Sequence, residues 1–404
     1  MPNFAYTARN ERGKLIRGVM DTPDKAQVIE KLQSAGLYVT GVIEKKATNI
    51  RKFLEVFAVP KQVSIAIFCR EFATMINAGL PLLRAITLLI DHVEDKALQN
   101  ALKGVRDSVR SGSTLADAFK NYPRVFSELF VSSVAAGEAG GMLDLTLKRL
   151  ADHVEKEVDL KNKVKAALTY PIILITATVI IIGIFMFFVL PRFIPLFLES
   201  KVPLPLPTLI IYKLGILLHS YGIIILIWAV LSSVGFGTYI RTPKGRLKFD
   251  RFKINMPIFG KIIRQVEAAR FSATLETLII SGVPLLRSME LLYRIATNKV
   301  VALLIEDVQN SVKGGNTISE PISKSDVFPP MVADMLAVGE ETGNIEEMLT
   351  KISDFFIREV ENTTKKLASI LEPILLLFMG SVVVFVALSI LLPMFRMVQV
   401  LKQQ

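Results

Sequence analysis

The sequence predicts a mainly α-helical membrane protein with two homologous helical bundles, three membrane-spanning helices and a small amino-terminal α+β domain. Three observations lead to this fold class. Residues 68–89 and 271–292 share ten of 22 positions, which indicates an internal duplication. Each copy runs into 21 residues without a charge, at 171–191 and at 373–393. Residues 4–20 instead alternate between apolar and polar side chains, as strands do.

Residues 1–46 predict a small ββαβ domain. Residues 4–20 have the alternation of a β-hairpin. A helix should follow, with Thr22 as its N-cap, Pro23 at its first position and Gly36 at its end. Residues 39–43 then form the third strand. Because so short a domain has a marginal core, we expect it to dock on another element. Residues 47–62 are predicted to be a linker.

Residues 63–170 and 265–372 predict two antiparallel bundles of about six helices each. A glycine and a proline separate two helices in each copy, and the four residues are Gly79, Pro81, Gly282 and Pro284. Later in each copy, apolar residues recur at steps of four, three and four. They are Leu143, Leu147, Leu150 and Val154 in the first copy, and Ile345, Leu349, Ile352 and Phe356 in the second. This spacing predicts one buried stripe per copy.

Three segments are predicted to span a membrane. At about 1.5 Å per residue, each of the uncharged segments 171–191 and 373–393 reaches roughly 30 Å, the thickness of the hydrocarbon core. Residues 214–240 are also uncharged and predict another span. No turn signal separates the buried stripes from the spans at Pro171 and Pro373. We therefore expect these prolines to kink continuous helices and not to end them.

The distribution of basic residues predicts the orientation. Residues 241–264 contain eight basic side chains and one acid, Asp250, which places this connection in the cytoplasm. The loop at 192–213 has few charges and is expected in the periplasm, together with residues 394–404. Two similar bundles are expected on the same side of the membrane. The first two spans lie between them, and two crossings return the chain to the side from which it started. The charged amino terminus lacks the apolar core of a signal peptide and is expected in the cytoplasm.

Composition excludes several classes of protein. Hydrophobic residues make up 51% of the chain and charged residues 21%, a balance between that of a soluble protein and that of a permease. The net charge of +11 is concentrated beside the spans, where anionic headgroups attract it, so no nucleic-acid partner is predicted. The single cysteine, Cys69, cannot form an internal disulfide and corresponds to Ser272, which favours simple packing.

A search for catalytic and cofactor motifs finds none. The chain lacks a P-loop, a G-x-S-x-G nucleophile turn, an H-E-x-x-H motif and a cysteine pair for zinc. Its three histidines, His92, His153 and His219, lie in three different predicted elements. We therefore expect no enzymatic activity, no cofactor and no metal.

The best local candidates for binding a partner are two Gly-Glu-x-x-Gly segments. They consist of Gly137, Glu138 and Gly141 in the first copy, and Gly339, Glu340 and Gly343 in the second. Their glycines permit a close turn, and each glutamate suits the cap of the following helix or an ion pair. The sequence is compatible with two interpretations of these segments: a structural role, or a groove in which a partner docks. Glu372 precedes Pro373 at the mouth of the third span, where it either binds a basic partner or faces headgroup water.

Together these motifs resemble a known family of inner-membrane platform proteins, which includes type II secretion system protein F and type IV pilus assembly protein C. The resemblance covers essentially the whole chain. It is carried by the twin PLLR blocks, the twin Gly-Glu-x-x-Gly turns, the segments 167–171 and 371–373, the loop 203–208 and the closing 392–395. One departure is Pro321, which stands where the first copy has Ala118 and is expected to shorten a helix.

The resemblance implies a non-catalytic platform in the bacterial inner membrane. Its partners would be a cytoplasmic hexameric assembly ATPase, pilin or pseudopilin subunits, other inner-membrane components of the same machine, and further copies of itself. The sequence does not choose between a pilus and a secretion machine. The alternative is a subunit of an oligomeric transporter or channel, which the uncharged spans make less favourable.

Overall fold

The computed structural model describes residues 3–9, 15–21, 24–44, 59–189, 191–192, 206–257 and 259–401. The predicted fold class is confirmed. The described residues form two bundles of six helices each and a three-stranded sheet at the amino terminus. Within them, three helices are long and apolar enough to cross a membrane, with mean hydropathies of 3.0, 2.1 and 2.4 over their most apolar windows.

The amino-terminal domain has the order ββαβ. Its elements are β1 Asn3–Arg9, β2 Leu15–Asp21, α1 Lys25–Ser34 and β3 Tyr38–Glu44. Strand β1 lies in the centre and pairs antiparallel with both β2 and β3. Val28 and Leu32 of α1 pack on Phe4 and Val42 of the sheet. Asp24 occupies the N-cap position of α1, whereas Thr22, Pro23 and residues 47–58 of the predicted linker lie outside the described residues.

The first bundle has six helices. In chain order they are α2 Gln62–Asn77, α3 Leu82–His92, α4 Lys96–Arg110, α5 Leu115–Lys120, α6 Glu128–Ala139 and α7 Leu143–Ile184. Five phenylalanines fill the core, namely Phe68, Phe72, Phe119, Phe126 and Phe130, with ring centroids 4.4 to 6.5 Å apart. Leu147 and Leu150 from the predicted stripe are buried against them.

The second bundle repeats this order. Its helices are α10 Phe259–Ile280, α11 Leu285–Ile295, α12 Lys299–Lys313, α13 Ser319–Ser323, α14 Pro330–Thr342 and α15 Ile345–Leu401. Leu349, Ile352 and Phe356 of the predicted stripe are buried in its core. Helix α10 begins at Phe259, six residues before the predicted start of this bundle at residue 265. Helix α13, which contains Pro321, has five residues, whereas its counterpart α5 has six.

The helices α7 and α15 each run from a bundle into an apolar candidate span. Helix α7 passes through Pro171 and continues into a π-helical turn at Phe185–Val189. Helix α15 has 57 residues and passes through Pro373, so it is about 85 Å long at 1.5 Å per residue. Neither proline ends its helix. Each bundle is therefore joined to its candidate span by a continuous helical backbone.

The connection between the bundles is also helical. Helix α8 spans Leu206–Arg241 and α9 spans Pro243–Asn255. Helix α8 begins eight residues before the predicted span at residue 214. Between the two helices, Thr242 accepts a hydrogen bond from the backbone N–H of Gly245 at 3.1 Å and caps α9. The basic segment after the second span is thus an ordered helix beside the second bundle.

Candidate partner-binding sites and the interface between the repeats

Glu138 of α6 caps the short helix α5. Its Oε1 accepts a hydrogen bond from the backbone N–H of Leu115 at 2.9 Å, and its Oε2 accepts one from that of Ala116 at 3.2 Å. The first N–H groups of a helix have no partner within it, and a carboxylate beside them also interacts favourably with the helix dipole. The carboxylate therefore fixes α5 against α6.

Glu340 of α14 does the same for α13. Its Oε1 accepts a hydrogen bond from the backbone N–H of Ile318, and its Oε2 accepts bonds from the N–H of Ser319 at 3.2 Å and from its hydroxyl at 2.5 Å. Both glutamates thus cap the short helix that precedes them. The sequence pattern instead predicts a cap on the following helix or an ion pair.

The glycines of the two segments have different roles. Gly141 and Gly343 have φ values of +67° and +71°, in the left-handed region that favours glycine, and they end α6 and α14. Gly137 lies so close to α7 that a Cβ there would be 2.3 Å from Oγ1 of Thr146. At Gly339 the nearest atom would be Cγ of Met348, at 3.0 Å. The segments therefore hold the last helices of each bundle together, and their role in binding a partner stays a prediction.

Glu372 is exposed on α15, directly before Pro373. Pro81 and Pro284 occupy the N-cap positions of α3 and α11. Before each proline, the chain turns at Gly79 or Gly282, whose backbone N–H donates to the carbonyl oxygen three residues earlier at 2.9 Å. The two turns are therefore built alike.

Ion pairs join the two long helices. Lys156 Nζ of α7 lies 2.7 Å from Oδ1 of Asp354 of α15, and Lys163 Nζ lies 2.9 Å from Oε2 of Glu361. Glu361 also accepts a hydrogen bond from Lys365 at 2.8 Å. These two bonded lysines lower the pKa of the Glu361 carboxyl to about 2. Helices α7 and α15 are thus linked side by side before they reach the uncharged segments.

The first repeat also contacts α10 and α11 of the second. Arg149 Nη1 lies 3.8 Å from Oε1 of the buried Glu276, which accepts a hydrogen bond from Thr350 at 2.8 Å. Glu128 of α6 pairs with Arg294 of α11 at 3.2 Å. Leu129 and Leu160 of the first repeat belong to the hydrophobic core of the second. The two bundles are consequently one packed unit.

His153 of α7 lies in this interface, close to Ala273 of α10. Burial lowers the pKa of the imidazole, so it is neutral at physiological pH. Its Nδ1 is buried without a hydrogen-bond partner in the described part of the protein. The corresponding residue in the second repeat is Phe355, so an apolar ring occupies this position there.

The repeats contact each other through different faces. In the second repeat, α10 packs against α7 through residues such as Val266 and Ala273. The corresponding residues of α2 are Val63, which is 49% exposed, and Arg70, which pairs with Asp152 and Glu155 of α7 in its own repeat. Ile67, also on α2, is 55% exposed. An interface between unlike faces does not close on itself, so among the described residues no other helix covers Val63 and Ile67 of α2 in the way that α7 covers α10.

Two of the cavities adjoin this interface. One of about 300 Å³ is lined by His153 and Glu157 from the first repeat and by Glu267 and Arg270 from the second. Another of about 690 Å³ lies where α7 leaves the bundle, and α9 and α10 form its other walls. Among the described residues, no three His, Cys, Asp or Glu side chains are grouped as a metal site requires.

Comparison with known proteins identifies the family. The sequence profile of type II secretion system (T2SS), protein F matches residues 68–191 and again residues 271–393. The profile of the amino-terminal domain of type II secretion system protein F matches residues 1–43. The two bundle matches therefore correspond to the internal repeat, and each ends with its apolar segment.

Whole proteins match over nearly their full length. The chain is 36% identical over 394 residues to type IV pilus assembly protein PilC of Myxococcus xanthus, covering 98% of this chain and 94% of that protein. It is 33% identical to PilC of Thermus thermophilus, with complete coverage of both. It is 30% identical to type II secretion system protein F of Vibrio cholerae, with 98% of each chain covered. The chain therefore belongs to the family of type II secretion system protein F and type IV pilus assembly protein PilC.

Proposed function

We propose that this protein is the non-catalytic inner-membrane platform of a type IV pilus or type II secretion machine. In this role it couples a cytoplasmic hexameric ATPase to the extraction of pilin or pseudopilin subunits from the bilayer. Both bundles and the amino-terminal domain lie in the cytoplasm, and the carboxyl terminus lies in the periplasm. The names of its relatives, taken from both kinds of machine, support this assignment.

The observation that carries the proposal is the continuity of α7 and α15 from bundle to span. An ATPase that moves the bundles needs a stiff connection to the membrane, and an unbroken helix provides one. The ion pairs of Lys156 with Asp354 and of Lys163 with Glu361 make the two helices move together. Pilin transmembrane helices would then be guided along the spans of α7 and α15.

An insertion that interrupts this connection tests the coupling. Two glycines inserted after Lys165 break α7 between its bundle and its span. We expect fibre assembly or secretion to fall at least ten-fold in cells, with the protein still inserted in the membrane. The matched control is the same insertion after Gly112, in the turn between α4 and α5. Normal assembly with the insertion after Lys165 would contradict the proposal.

Co-purification tests the partners directly. The solubilised protein should retain its cognate ATPase and pilin-type subunit, and the identity of the pilin separates a pilus from a secretion machine. The protein alone, reconstituted in liposomes, should neither hydrolyse ATP nor pass solutes. Solute flux would favour the transporter alternative, and ATP hydrolysis would favour an enzyme.

The exposed face of α2 supports self-assembly. Val63 and Ile67 are exposed, whereas the equivalent positions of the second repeat lie beside α7 of the first repeat. We propose that a second copy covers this face. The variant Ile67→Asp should lower the mass of the solubilised assembly in light scattering. The control Leu286→Asp, at a similarly exposed leucine of α11, should not. An unchanged mass for Ile67→Asp would exclude this face as the contact.

A further inference from the structure

The groove of about 690 Å³ beside α7 lies where the charged part of this helix ends. One wall is the α7 segment from Leu160 to Ile173, which contains Lys165, the last charged residue before the span. The other walls come from α9 and α10 and include Ile262 and Ile263. The groove is therefore at the level where lipid headgroups meet hydrocarbon.

The apolar part of the groove continues into the lipid-facing surface of the span. Leu168, Ile172 and Ile173 line it and are 38%, 58% and 61% exposed. Ile172 and Ile173 lie at the start of the uncharged segment 171–191, which lipid acyl chains surround in a membrane. A molecule that fills this groove is thus in contact with hydrocarbon at one end and with the charged bundle at the other.

The polar part of the groove is cationic. Its basic residues are Lys161, Lys165, Lys253 and Arg270. Lys165 is exposed and has no hydrogen bond or ion pair through its ammonium group in the described ranges. Arg270 donates to Thr297 through Nη1 at 3.4 Å, and its buried Nε is a donor without a partner among the described residues. Unused donors of this kind suit a phosphate group.

Two acids also line the groove and pair with two of its four bases, Asp250 with Lys253 and Glu267 with Arg270, so the lining keeps a net positive charge. Asp250 is 3% exposed and accepts hydrogen bonds from the N–H of Lys299 at 2.9 Å and from Lys253 at 3.2 Å. Glu267 is 9% exposed and accepts one from Thr297 at 2.9 Å. Burial also raises the pKa of the Glu267 carboxyl, which favours its neutral form.

We propose that this groove binds one phospholipid with an anionic headgroup. The phosphate contacts Lys165 and Arg270, and an acyl chain lies along Leu168 and Ile172. The bound lipid fills the space between α7 and the α9–α10 corner, and so joins the first span to the second repeat. This inference goes beyond the proposed function, since it does not require an ATPase or a pilin.

The test uses the full-length protein in nanodiscs of phosphatidylcholine with increasing fractions of phosphatidylglycerol. Native mass spectrometry after release counts the lipids that stay bound. We expect one phosphatidylglycerol to be retained in preference to phosphatidylcholine, and Lys165→Glu to weaken its retention at least about five-fold. The matched control is Lys366→Glu on α15, which removes a basic charge near the start of the third span but outside this groove.

Each other outcome overturns the proposal. Equal retention of both lipids shows that the headgroup charge is not recognised. Equal losses in Lys165→Glu and Lys366→Glu indicate diffuse attraction to the surface. Displacement of the lipid by soluble glycerol phosphate assigns the groove to a free phosphate compound, and displacement by a pilin transmembrane peptide assigns it to protein. Lys165→Gln, which adds no negative charge, replaces Lys165→Glu if that variant does not fold.

Discussion

Lys163 Nζ of α7 lies 2.9 Å from Oε2 of Glu361 of α15, and this ion pair joins the two helices that lead into the first and third spans. Glu361 lies between Lys163 and Lys365, and Lys163 also pairs with Asp159 at 2.9 Å. The pair thus belongs to a chain of four alternating charges across the two helices. Such a network fixes their relative position more firmly than a single exposed pair would.

The first prediction concerns this link. Glu361→Gln removes the negative charge that lies between the two lysines, so α7 and α15 should separate more easily. Hydrogen exchange should increase in residues 156–165 and 354–365, with little change in overall stability because exposed ion pairs contribute little. The control Glu347→Gln removes only a pair with Lys351 within α15, at 2.6 Å. Identical exchange in the two variants would exclude a role for Glu361 in joining the helices.

The pH dependence of this link follows from the pKa of Glu361, which is lowered to about 2 from 4.5. A carboxyl group with a lowered folded-state pKa contributes stability above its unfolded-state pKa and loses that contribution as the folded-state pKa is approached. The link should therefore be intact at neutral pH and weaken between about pH 4.5 and 2. The distance between spin labels attached to α7 and α15 at neutral pH, measured again at several lower pH values, tests this.

The second prediction separates capping from partner binding at Glu138. Glu138→Ala leaves the N–H groups of Leu115 and Ala116 without their acceptor and should cost about 1–2 kcal/mol of unfolding free energy. Glu138→Gln keeps one acceptor oxygen and should cost less. Thermal unfolding in detergent gives both values.

The assembly phenotype should follow these stabilities if Glu138 only caps α5. A Glu138→Gln protein that is as stable as wild type but inactive in assembly would instead show that the charge binds a partner. The corresponding pair Glu340→Ala and Glu340→Gln tests the second repeat in the same way, since Glu340 caps α13.

Much of the fold could be predicted because its signals are local. The Gly79–Pro81 break and the apolar steps from Leu143 to Val154 depend on neighbouring residues only, and the 21-residue uncharged segments depend on composition. The roles of the glutamates could not be predicted, since Glu138 and Leu115 are separated by 23 positions. The interface between unlike faces was also hidden, because the similarity of two repeats does not specify how they pack together.

The third prediction concerns the close approach at Gly137. In Gly137→Ala, the new Cβ would lie 2.3 Å from Oγ1 and 2.7 Å from Cβ of Thr146, so α6 and α7 must move apart. We expect a loss of about 1–3 kcal/mol of unfolding free energy. Gly339→Ala should cost less, because the nearest atom there is Cγ of the flexible Met348 at 3.0 Å.

A second substitution checks the cause. Thr146→Gly removes the atoms that the new methyl group would meet, and in that background Gly137→Ala should be tolerated better. If the Gly137→Ala cost is the same in both backgrounds, the crowding at Thr146 is not its source. Thermal unfolding of the four proteins gives the coupling free energy directly.

The fourth prediction concerns Cys69, whose side chain is buried in the first core. Burial and then the nearby Glu155 raise the pKa of the thiol to about 12, from 9.0. At pH 8 the thiolate is therefore about 1,000-fold scarcer than for an ordinary thiol, and thiolate is the reactive form. N-ethylmaleimide should leave the folded protein unmodified by mass spectrometry and modify it fully after denaturation. An exposed Ser113→Cys in the α4–α5 turn is the control that should react in the folded protein. Rapid modification of Cys69 in the folded wild type would show that the packing of α2 against α7 opens readily.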